Sequence, residues 1–343
     1  MVLGKPQKGQ SMTETSYDVV GIGNAIVDII ARCDEAFLSN QGMEKGFMQL
    51  IDATRANELY AAMGPATEQS GGSVANSCAG IASFGGACGF IGRVAGDQFG
   101  KVFAHDISAI GVAYDTPSSD AGLPTARCLV LVTGDGERTM NTFLGASTQL
   151  GSGDIDADLI ASAQVTYLEG YLFDKVEAKA AFHEAAKLAR AAGRKVALSL
   201  SDAFCVDRHR EDFLTLVRGG VDILFANEAE ITSLYEMNNF DDAAGAVRAE
   251  AEIAVLTRSE NGAIIISGND TIEVPADLVE RVVDATGAGD LYAAGFLHGL
   301  TSGQPLEICG RLGALAAAEI ISHIGARPEM SLKELARANN LLI

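Results

Sequence analysis

A glycine turn that ends on a carboxylate is the segment of this sequence best suited to chemistry. It runs from Val282 to Asp290, and Gly287, Ala288 and Gly289 stand directly before the carboxylate. We predict a strand, this turn and then a buried helix, which places backbone N–H groups of the turn at a helix N-terminus. The helix dipole favours an anion such as a phosphate there. Asp290 beside that anion is placed to accept the proton of an alcohol in phosphoryl transfer; a turn that serves packing alone is the alternative.

Further polar or aromatic side chains follow the ends of other predicted strands. Asp28 comes after the first strand, Tyr171 after the strand at 164–170, and Asn227 after the strand at 221–227. Open parallel sheets bind ligands at the carboxyl ends of their strands, so we expect these residues to meet at one edge. A ring at Tyr171 would stack on a base. Alternatively, Asp28 is an ordinary exposed residue and Tyr171 belongs to the core.

Two more segments have both a functional and a structural interpretation. Gly71 and Gly72 either let the backbone approach a ligand hydroxyl or only mark the start of a helix. Asn76, one turn into that helix, is either part of the same site or a buried structural amide. Arg138, in a predicted hairpin, either neutralises charge on a transferred phosphate or is solvated.

The remaining short motifs either indicate a structural role or do not match a known phosphate- or dinucleotide-binding pattern. Asn227 and Glu230 form an N-x-x-E pattern that closely matches a capping box, which is the favoured interpretation of these four residues alone. Residues 96–102 lack the spacing of a P-loop. Ile26 stands where a dinucleotide-binding fingerprint needs its third glycine or alanine, so an oxidoreductase is a distant possibility.

The elements around these residues predict an α/β fold. From residue 160 onward, apolar strands alternate with amphipathic helices, which indicates a parallel sheet covered on both faces. The extended segments at about 26–51 and 111–145 do not fit this alternation, and we predict that they form a small β-rich lid. Residues 1–15 are polar and predicted to be disordered, which leaves one domain over 16–343.

Composition narrows the function further. The chain has 343 residues, 48% of them hydrophobic, and no apolar run long enough to span a bilayer. A net charge of −20 argues against binding to nucleic acid or to an anionic membrane surface. Six scattered cysteines without a CxxC pair suit a reducing cytoplasm and no zinc site.

Two long segments carry a family resemblance. GGSVANSCAGIASFGGACGFIGRVAGDQFG at 71–100 and VVDATGAGDLYAAGF at 282–296 are accompanied by Asn227 and Glu230. With these motifs the chain resembles the ribokinase-like (phosphofructokinase-B) carbohydrate and nucleoside kinases over about 17–328. Within that family it is most similar to the adenosine kinase branch, on four segments: GNAIVDI (23–29), GGSVANS (71–77), SLSDAF (199–204) and DILFANEAE (222–230).

The resemblance implies a ribokinase-like fold and a role for each matching residue. Asp290 would be the base, with the amides of Gly287, Ala288 and Gly289 and the side chain of Arg138 stabilising the transferring phosphoryl group. The other implied roles are ribose binding by Asp28, Gly71, Gly72, Ser73 and Asn76, base binding by Gln49, Tyr171 and Phe204, ATP binding by Asn227, Thr257, Asn261, Gly262, Gly287 and Gly289, and organisation of the Mg²⁺ water shell by Asn227 and Glu230. Ala285 replaces a threonine found in many members, which puts activation by K⁺ in doubt.

The resemblance further implies a cytoplasmic enzyme that uses ATP and Mg²⁺ to phosphorylate the 5′-hydroxyl of a ribonucleoside, foremost adenosine, in purine salvage. A sugar kinase acting on ribose or fructose is the nearest alternative, and a non-catalytic nucleoside-binding protein is an alternative of another class. The expected partners are small molecules, without nucleic acid or membrane, and the expected state is a monomer or homodimer.

Overall fold

Two β-sheets of unequal size organise the chain. The computed structural model describes residues 15–119 and 122–342, so nearly all of the N-terminal segment predicted to be disordered lies outside the described residues. The strands are β1 (Tyr17–Ile22), β2 (Ile26–Arg32), β3 (Met48–Leu50), β4 (Ala66–Gly71), β5 (Cys88–Ile91), β6 (Val112–Ala113), β7 (Ala126–Val132), β8 (Arg138–Phe143), β9 (Ala163–Glu169), β10 (Lys195–Ser199), β11 (Ile223–Asn227), β12 (Ile253–Thr257), β13 (Ala263–Ser267) and β14 (Asp270–Val274).

The α-helices mostly begin at side chains that cap them. Asp97, for example, accepts a hydrogen bond from the amide of Gly100 in the first turn of its helix. The helices are α1 (Glu35–Asn40), α2 (Ala53–Ala62), α3 (Ser73–Phe84), α4 (Gln98–Ala109), α5 (Ala157–Ser162), α6 (Val176–Ala191), α7 (Ala203–Gly220), α8 (Glu228–Tyr235), α9 (Phe240–Val247), α10 (Ala288–Thr301), α11 (Leu306–Ile320) and α12 (Leu332–Ala338). In the parts of the chain that the structure describes, no helix is both long and apolar enough to cross a bilayer.

The larger sheet has nine strands in the order β14-β13-β12-β11-β10-β9-β1-β5-β6. Every neighbouring pair from β12 to β6 is parallel, and β13 and β14 add an antiparallel hairpin at one edge. Helices cover both faces. Phe84, Phe296 and Leu312 belong to the core on one face, and Phe182 and Phe213 to the core on the other. The predicted α/β fold with a mostly parallel sheet is confirmed.

The smaller sheet has five strands in the order β3-β8-β7-β2-β4. Its side chains alternate between two faces: Leu129 and Leu131 of β7 pack toward α1 and α2, while Cys128, Val130 and Val132 face the other way. This is the β-rich lid of the sequence analysis, and we call it the smaller sheet.

Three predicted boundaries need correction. Strand β4 belongs to the smaller sheet although it lies outside both predicted lid segments, because its polar sequence ATEQSG hides a strand that pairs with β2. Val112–Ala113, inside the predicted lid segment 111–145, pairs with β5 of the larger sheet. The strand predicted before Asp290 is absent, and residues 282–287 form an irregular connection instead.

Candidate active site

A cavity of about 740 Å³ lies between the two sheets. Its floor includes the carboxyl ends of four neighbouring parallel strands, at Glu169, Ser199, Asn227 and Thr257. Side chains of the smaller sheet and the first turn of α10 complete the wall. The edge predicted from the strand ends is therefore the edge at which the cavity lies.

Asp290 lines this cavity from the first turn of α10, and two residues of α3 hold its carboxylate. Ser73 Oγ donates a hydrogen bond of 2.6 Å to Oδ1, and Asn76 Nδ2 donates one of 2.9 Å to Oδ2. Ser77 Oγ also donates to the backbone carbonyl of Asp290 at 2.9 Å. Burial raises the pKa of Asp290, and the two hydrogen bonds to its carboxylate counteract that rise. Ser73 and Asn76 thus meet the carboxylate itself, a contact absent from the sequence prediction.

At the start of α10, some backbone N–H groups have no backbone acceptor among the described residues. Gly287 adopts the left-handed region with φ of +79° and turns the chain into α10. The amide of Ala288 bonds to a carbonyl in the turn, and that of Leu291 bonds to the carbonyl of Gly287. Between them stand the amides of Gly289 and Asp290, and a Cβ built on Gly289 meets nothing within 4 Å. This open N-terminus of a 14-residue helix fits an anion.

Arg138 connects the smaller sheet to the glycine turn. Its guanidinium forms an ion pair with Asp284, and both side chains are buried. Asp284 in turn accepts hydrogen bonds of 3.0 Å from the amides of Thr286 and Gly325. Arg138 lines the same cavity as Asp290. The Arg138–Asp284 pair therefore joins the smaller sheet to the residues just before the glycine turn.

Asp28 and the glycine pair meet where β2 and β4 run side by side. Asp28 is half-buried, and burial raises its pKa to about 6 although Arg327 and Arg138 oppose that rise. A Cβ on Gly71 would lie 2.3 Å from Asp28 Oδ2, so Gly71 packs beneath the carboxylate and does not line the cavity. Gly72 does line it, with φ of +107°.

Asn227 and Glu230 form a complete capping box at the start of α8. The amide of Glu230 donates to Asn227 Oδ1 at 2.9 Å, and Glu230 accepts from the amide of Asn227 at 3.0 Å and from its Nδ2 at 2.7 Å. Both residues also line the cavity. Burial raises the pKa of Glu230 to about 7. Across residues 15–119 and 122–342, no cluster of three or more His, Cys, Asp or Glu side chains is arranged to hold a metal ion.

Exposed aromatic rings form one wall of the cavity. Tyr171, directly after β9, is 40% exposed, and Phe204, in the first turn of α7, is 74% exposed. Met48 and Leu50 of β3 contribute apolar side chains from the smaller sheet. Gln49 lies between them on the opposite face, because side chains alternate along a strand, and its Nε2 donates to Asn141 Oδ1 at 2.6 Å. The prediction that Gln49 lines the pocket is corrected to Met48 and Leu50.

Thr257, the last residue of β12, and Asn261 and Gly262 after it were assigned to ATP, and of these three the cavity lining includes only Thr257. Asn261 and Gly262 lie beyond its lining, in the turn before β13. Gly262 has a packing reason for being glycine: its φ is +78°, and a Cβ there would lie 2.1 Å from the carbonyl oxygen of Val274. Contact between this turn and ATP stays a prediction.

The chain matches a known protein family. The model of the pfkB family of carbohydrate kinases matches residues 47–333. The chain belongs to this family. The predicted ribokinase-like relationship is thereby confirmed, and this pfkB-family enzyme is a phosphotransferase that acts on hydroxyl groups.

Similar proteins include both nucleoside and sugar kinases. An adenosine kinase from Sinorhizobium meliloti is 52% identical with a TM-score of 0.88, covering 95% of this chain and 100% of that one. A probable sugar kinase from Rhizobium etli is 51% identical with a TM-score of 0.89, covering 96% and 100%. The adenosine kinase of Saccharomyces cerevisiae is 26% identical over 330 residues, covering 90% of this chain and 95% of its own.

Sequence reasoning missed one buried carboxylate of this pfkB-family site. Glu169, at the end of β9, accepts hydrogen bonds from Asn24 Nδ2 at 2.6 Å and from the amide of Val74 at 3.0 Å. A Cβ on Gly23 would lie 2.3 Å from Glu169 Oε2. Burial raises the pKa of Glu169 to about 7. The available signal was an acidic residue at the end of a mostly buried strand, directly before Gly170 and Tyr171.

Proposed function

We propose that this enzyme transfers a phosphoryl group from ATP to the 5′-hydroxyl of a ribonucleoside, foremost adenosine, which gives AMP and serves purine salvage. One observation carries the proposal: Asp290, held by Ser73 and Asn76 at the head of α10, faces a cavity whose wall includes the exposed rings of Tyr171 and Phe204. The carboxylate can accept the proton of an alcohol, and the rings can stack on a flat base.

The chemistry assigned to this chain is proton removal and charge stabilisation. Asp290 accepts the proton of the hydroxyl as its oxygen forms the new bond to phosphorus. The bond between the transferred phosphorus and the bridging oxygen of ATP breaks, and ADP leaves. The amide of Gly289 and the guanidinium of Arg138 stabilise negative charge on the transferring group. Closing the smaller sheet over the cavity excludes water, which would otherwise compete as acceptor.

The metal assignment rests on the donor set at the start of α8. Mg²⁺ prefers oxygen ligands and keeps several waters, and it needs only one or two protein carboxylates beside the phosphates of a substrate. Glu230, buried with a raised pKa, gains from a nearby cation, and Asn227, which is bound to Glu230 through the capping box, is exposed beside it. We assign both residues to the water shell of Mg²⁺. Thr257, next along the same edge, is assigned to ATP.

The ribose assignment rests on Asp28, Gly72 and Ser73. Asp28 offers carboxylate oxygens to two hydroxyls, and Gly72 leaves its backbone open to the cavity. The base would lie between the rings and the apolar side chains of Met48 and Leu50. The similarity to adenosine kinases at 52% and 26% identity supports this choice of substrate. The six cysteines are free thiols, which suits the proposed cytoplasmic location.

A sugar kinase is the second candidate. The probable sugar kinase from Rhizobium etli is as similar to this chain as the adenosine kinase from Sinorhizobium meliloti. Asp28, Gly72 and Asn76 would bind the hydroxyls of a free sugar as well as those of a ribose. The two candidate substrates differ in that a nucleoside carries a flat base that can stack on the rings of Tyr171 and Phe204, whereas a free sugar does not.

A coupled assay of ADP formation separates the candidates. The purified protein would be given ATP, Mg²⁺ and, one at a time, adenosine, inosine, cytidine, ribose and fructose. We expect adenosine to give the highest kcat/KM. A higher value for ribose or fructose, with no turnover of any nucleoside, would replace the nucleoside proposal by the sugar kinase.

A further inference from the structure

Arg327 lies outside the cavity lining yet contacts the backbone on which the active-site residues stand. It belongs to the connection after α11, and its guanidinium makes four hydrogen bonds. Nε and Nη2 donate to the carbonyl of Ser70 at 3.0 and 2.8 Å, and Nη2 also donates to Ser70 Oγ at 2.9 Å. Nη1 donates to the carbonyl of Ala75 at 2.6 Å. One planar side chain therefore bridges two points of the chain.

These two points enclose the glycine turn before α3. Ser70 precedes Gly71 and Gly72, and Ala75 lies in the first turn of the helix that follows. The N-terminus of α3 has no side-chain cap, since Gly72 stands at that position. Capping normally fixes where a helix begins and satisfies its first amides. In the first turn of α3, Glu169 accepts the amide of Val74, and Arg327 adds a second constraint from outside the helix by donating to the carbonyls of Ser70 and Ala75.

The segment enclosed by Arg327 carries the ligands of Asp290. Ser73 lies inside it, and Asn76 follows Ala75 directly; both donate to the carboxylate of Asp290. A shift of the turn would therefore move both donors together. Misplacement of a reacting group by about 1 Å costs on the order of 10²-fold in rate.

Arg327 is itself held on both sides. On one side, Ser70 donates through its amide and its Oγ to Asp106 Oδ2, at 2.7 and 2.6 Å. On the other, Glu319 Oε1 accepts the amides of Glu329 and Met330, each at 2.9 Å, which fixes the connection just after Arg327. Both ends of the bridge are therefore anchored by hydrogen bonds to carboxylates.

We propose that Arg327 is a positioning residue for phosphoryl transfer, which acts by bridging Ser70 and Ala75 so that Ser73 and Asn76 keep Asp290 oriented. This rests on the proposed role of Asp290 as the base. The charge of Arg327 has a second consequence, because it lowers the pKa of both Asp290 and Asp28 against the effect of burial.

The test compares Arg327→Gln and Arg327→Lys with wild type and with Arg337→Gln. Arg337 is an exposed arginine of α12 that pairs with Glu334, so its replacement controls for loss of one arginine. For adenosine and ribose, kcat, KM and the pH profile of kcat/KM are measured with ATP and Mg²⁺, and the melting temperature is recorded. Asp290→Asn is assayed in parallel.

We expect Arg327→Gln to lower kcat by about 10- to 100-fold with a smaller change in KM, and to move the acid limb of the profile to higher pH. Arg327→Lys should keep the acid limb near wild type, since the charge remains, yet lower kcat, since one ammonium nitrogen cannot reproduce the four hydrogen bonds that three guanidinium nitrogens make. Arg337→Gln should behave as wild type.

A folded Arg327→Gln variant with wild-type kcat and acid limb would overturn the proposal, provided that Asp290→Asn is inactive. An active Asp290→Asn would instead overturn the proposed role of Asp290. If Arg327→Gln does not fold, Ser70→Ala replaces it, because this change removes the Oγ contacts to Arg327 and Asp106 only. Wild-type kcat in both Ser70→Ala and Arg327→Lys would then reject the proposal.

Discussion

Ser73 Oγ donates a hydrogen bond of 2.6 Å to Asp290 Oδ1 and so joins two helix starts that are 217 residues apart in the sequence. Both helices begin at a glycine with positive φ, Gly72 and Gly287, and neither has a side-chain cap. At α3 the amide of Val74 is accepted by the distant Glu169 in place of an N-cap side chain, and the carboxylate of Asp290 with its two donors lies between the two helix starts. The site is therefore made by the packing of α3 against α10.

Asp290→Asn should lower turnover by at least about 10²- to 10⁴-fold and leave nucleoside affinity nearly unchanged, because it removes the proton acceptor but not the base pocket. Burial raises the pKa of Asp290, so the ionised carboxylate destabilises the folded state. The melting temperature of the variant should therefore equal or exceed that of wild type. The buried Asn76 Oδ1 has no hydrogen-bond partner in the described structure and can accept from the new amide. Steady-state kinetics, adenosine calorimetry and thermal unfolding check these results; near wild-type turnover would remove Asp290 from its role.

Glu230→Gln should raise the Mg²⁺ concentration needed for half-maximal activity while leaving the fold intact. Glutamine keeps an acceptor for the amide of Asn227, so the loss from the capping box should be about 1 kcal/mol or less. Glu334→Gln is the matched control, since Glu334 stands three residues after the capping Ser331 of α12, outside the cavity lining. Mg²⁺ titrations and melting curves are compared. A lower melting temperature with an unchanged Mg²⁺ requirement would leave Glu230 as a cap alone.

Local patterns predicted the fold well where apolar periodicity is strong. The parallel strands at 164–170 and 221–227 and the glycine turn at Asp290 were all recognisable, and the cavity lies at their common edge. Strand β4 was missed because ATEQSG has little apolar character and is stabilised by pairing with β2. The strand predicted before Asp290 was wrong because Val282 is 55% exposed and the amide of Val283 bonds to the carbonyl of Ile321, just after α11, and not to a neighbouring strand.

Most residues of the predicted site line the cavity, whereas their contacts with one another were not predicted. Ser73 and Asn76 were expected to bind a ribose, yet their link to Asp290 requires knowing that α3 and α10 pack together. Glu169 and Arg327 were missed for the same reason, since their partners are distant in sequence. The error at Gln49 came from register: a one-residue change moves a side chain to the other face of a strand.

Glu169→Gln should reveal the cost of a buried carboxylate as pH rises. Burial raises the pKa of Glu169 from 4.5 to about 7, so the folded state holds a proton between these values that the unfolded state has lost. The free energy of unfolding from this group therefore falls as pH rises through that window. Glutamine resembles the protonated acid and does not titrate. The melting temperature of the variant should be close to that of wild type near pH 5 and should be the higher of the two at pH 8. A constant difference between the two melting temperatures across that range would contradict the raised pKa.

Tyr171→Ala should weaken adenosine binding far more than ribose binding. A ring stacked on a base contributes about 1–3 kcal/mol on truncation, whereas a free sugar has no flat face for it. Tyr60→Ala is the matched control, because Tyr60 is 39% exposed against 40% for Tyr171 but lies on α2, outside the cavity lining. Calorimetry of wild type and both variants, with adenosine and with ribose, measures the difference. Equal losses for the two ligands would show that Tyr171 is not a base contact, and tight ribose binding without adenosine binding in wild type would favour the sugar kinase.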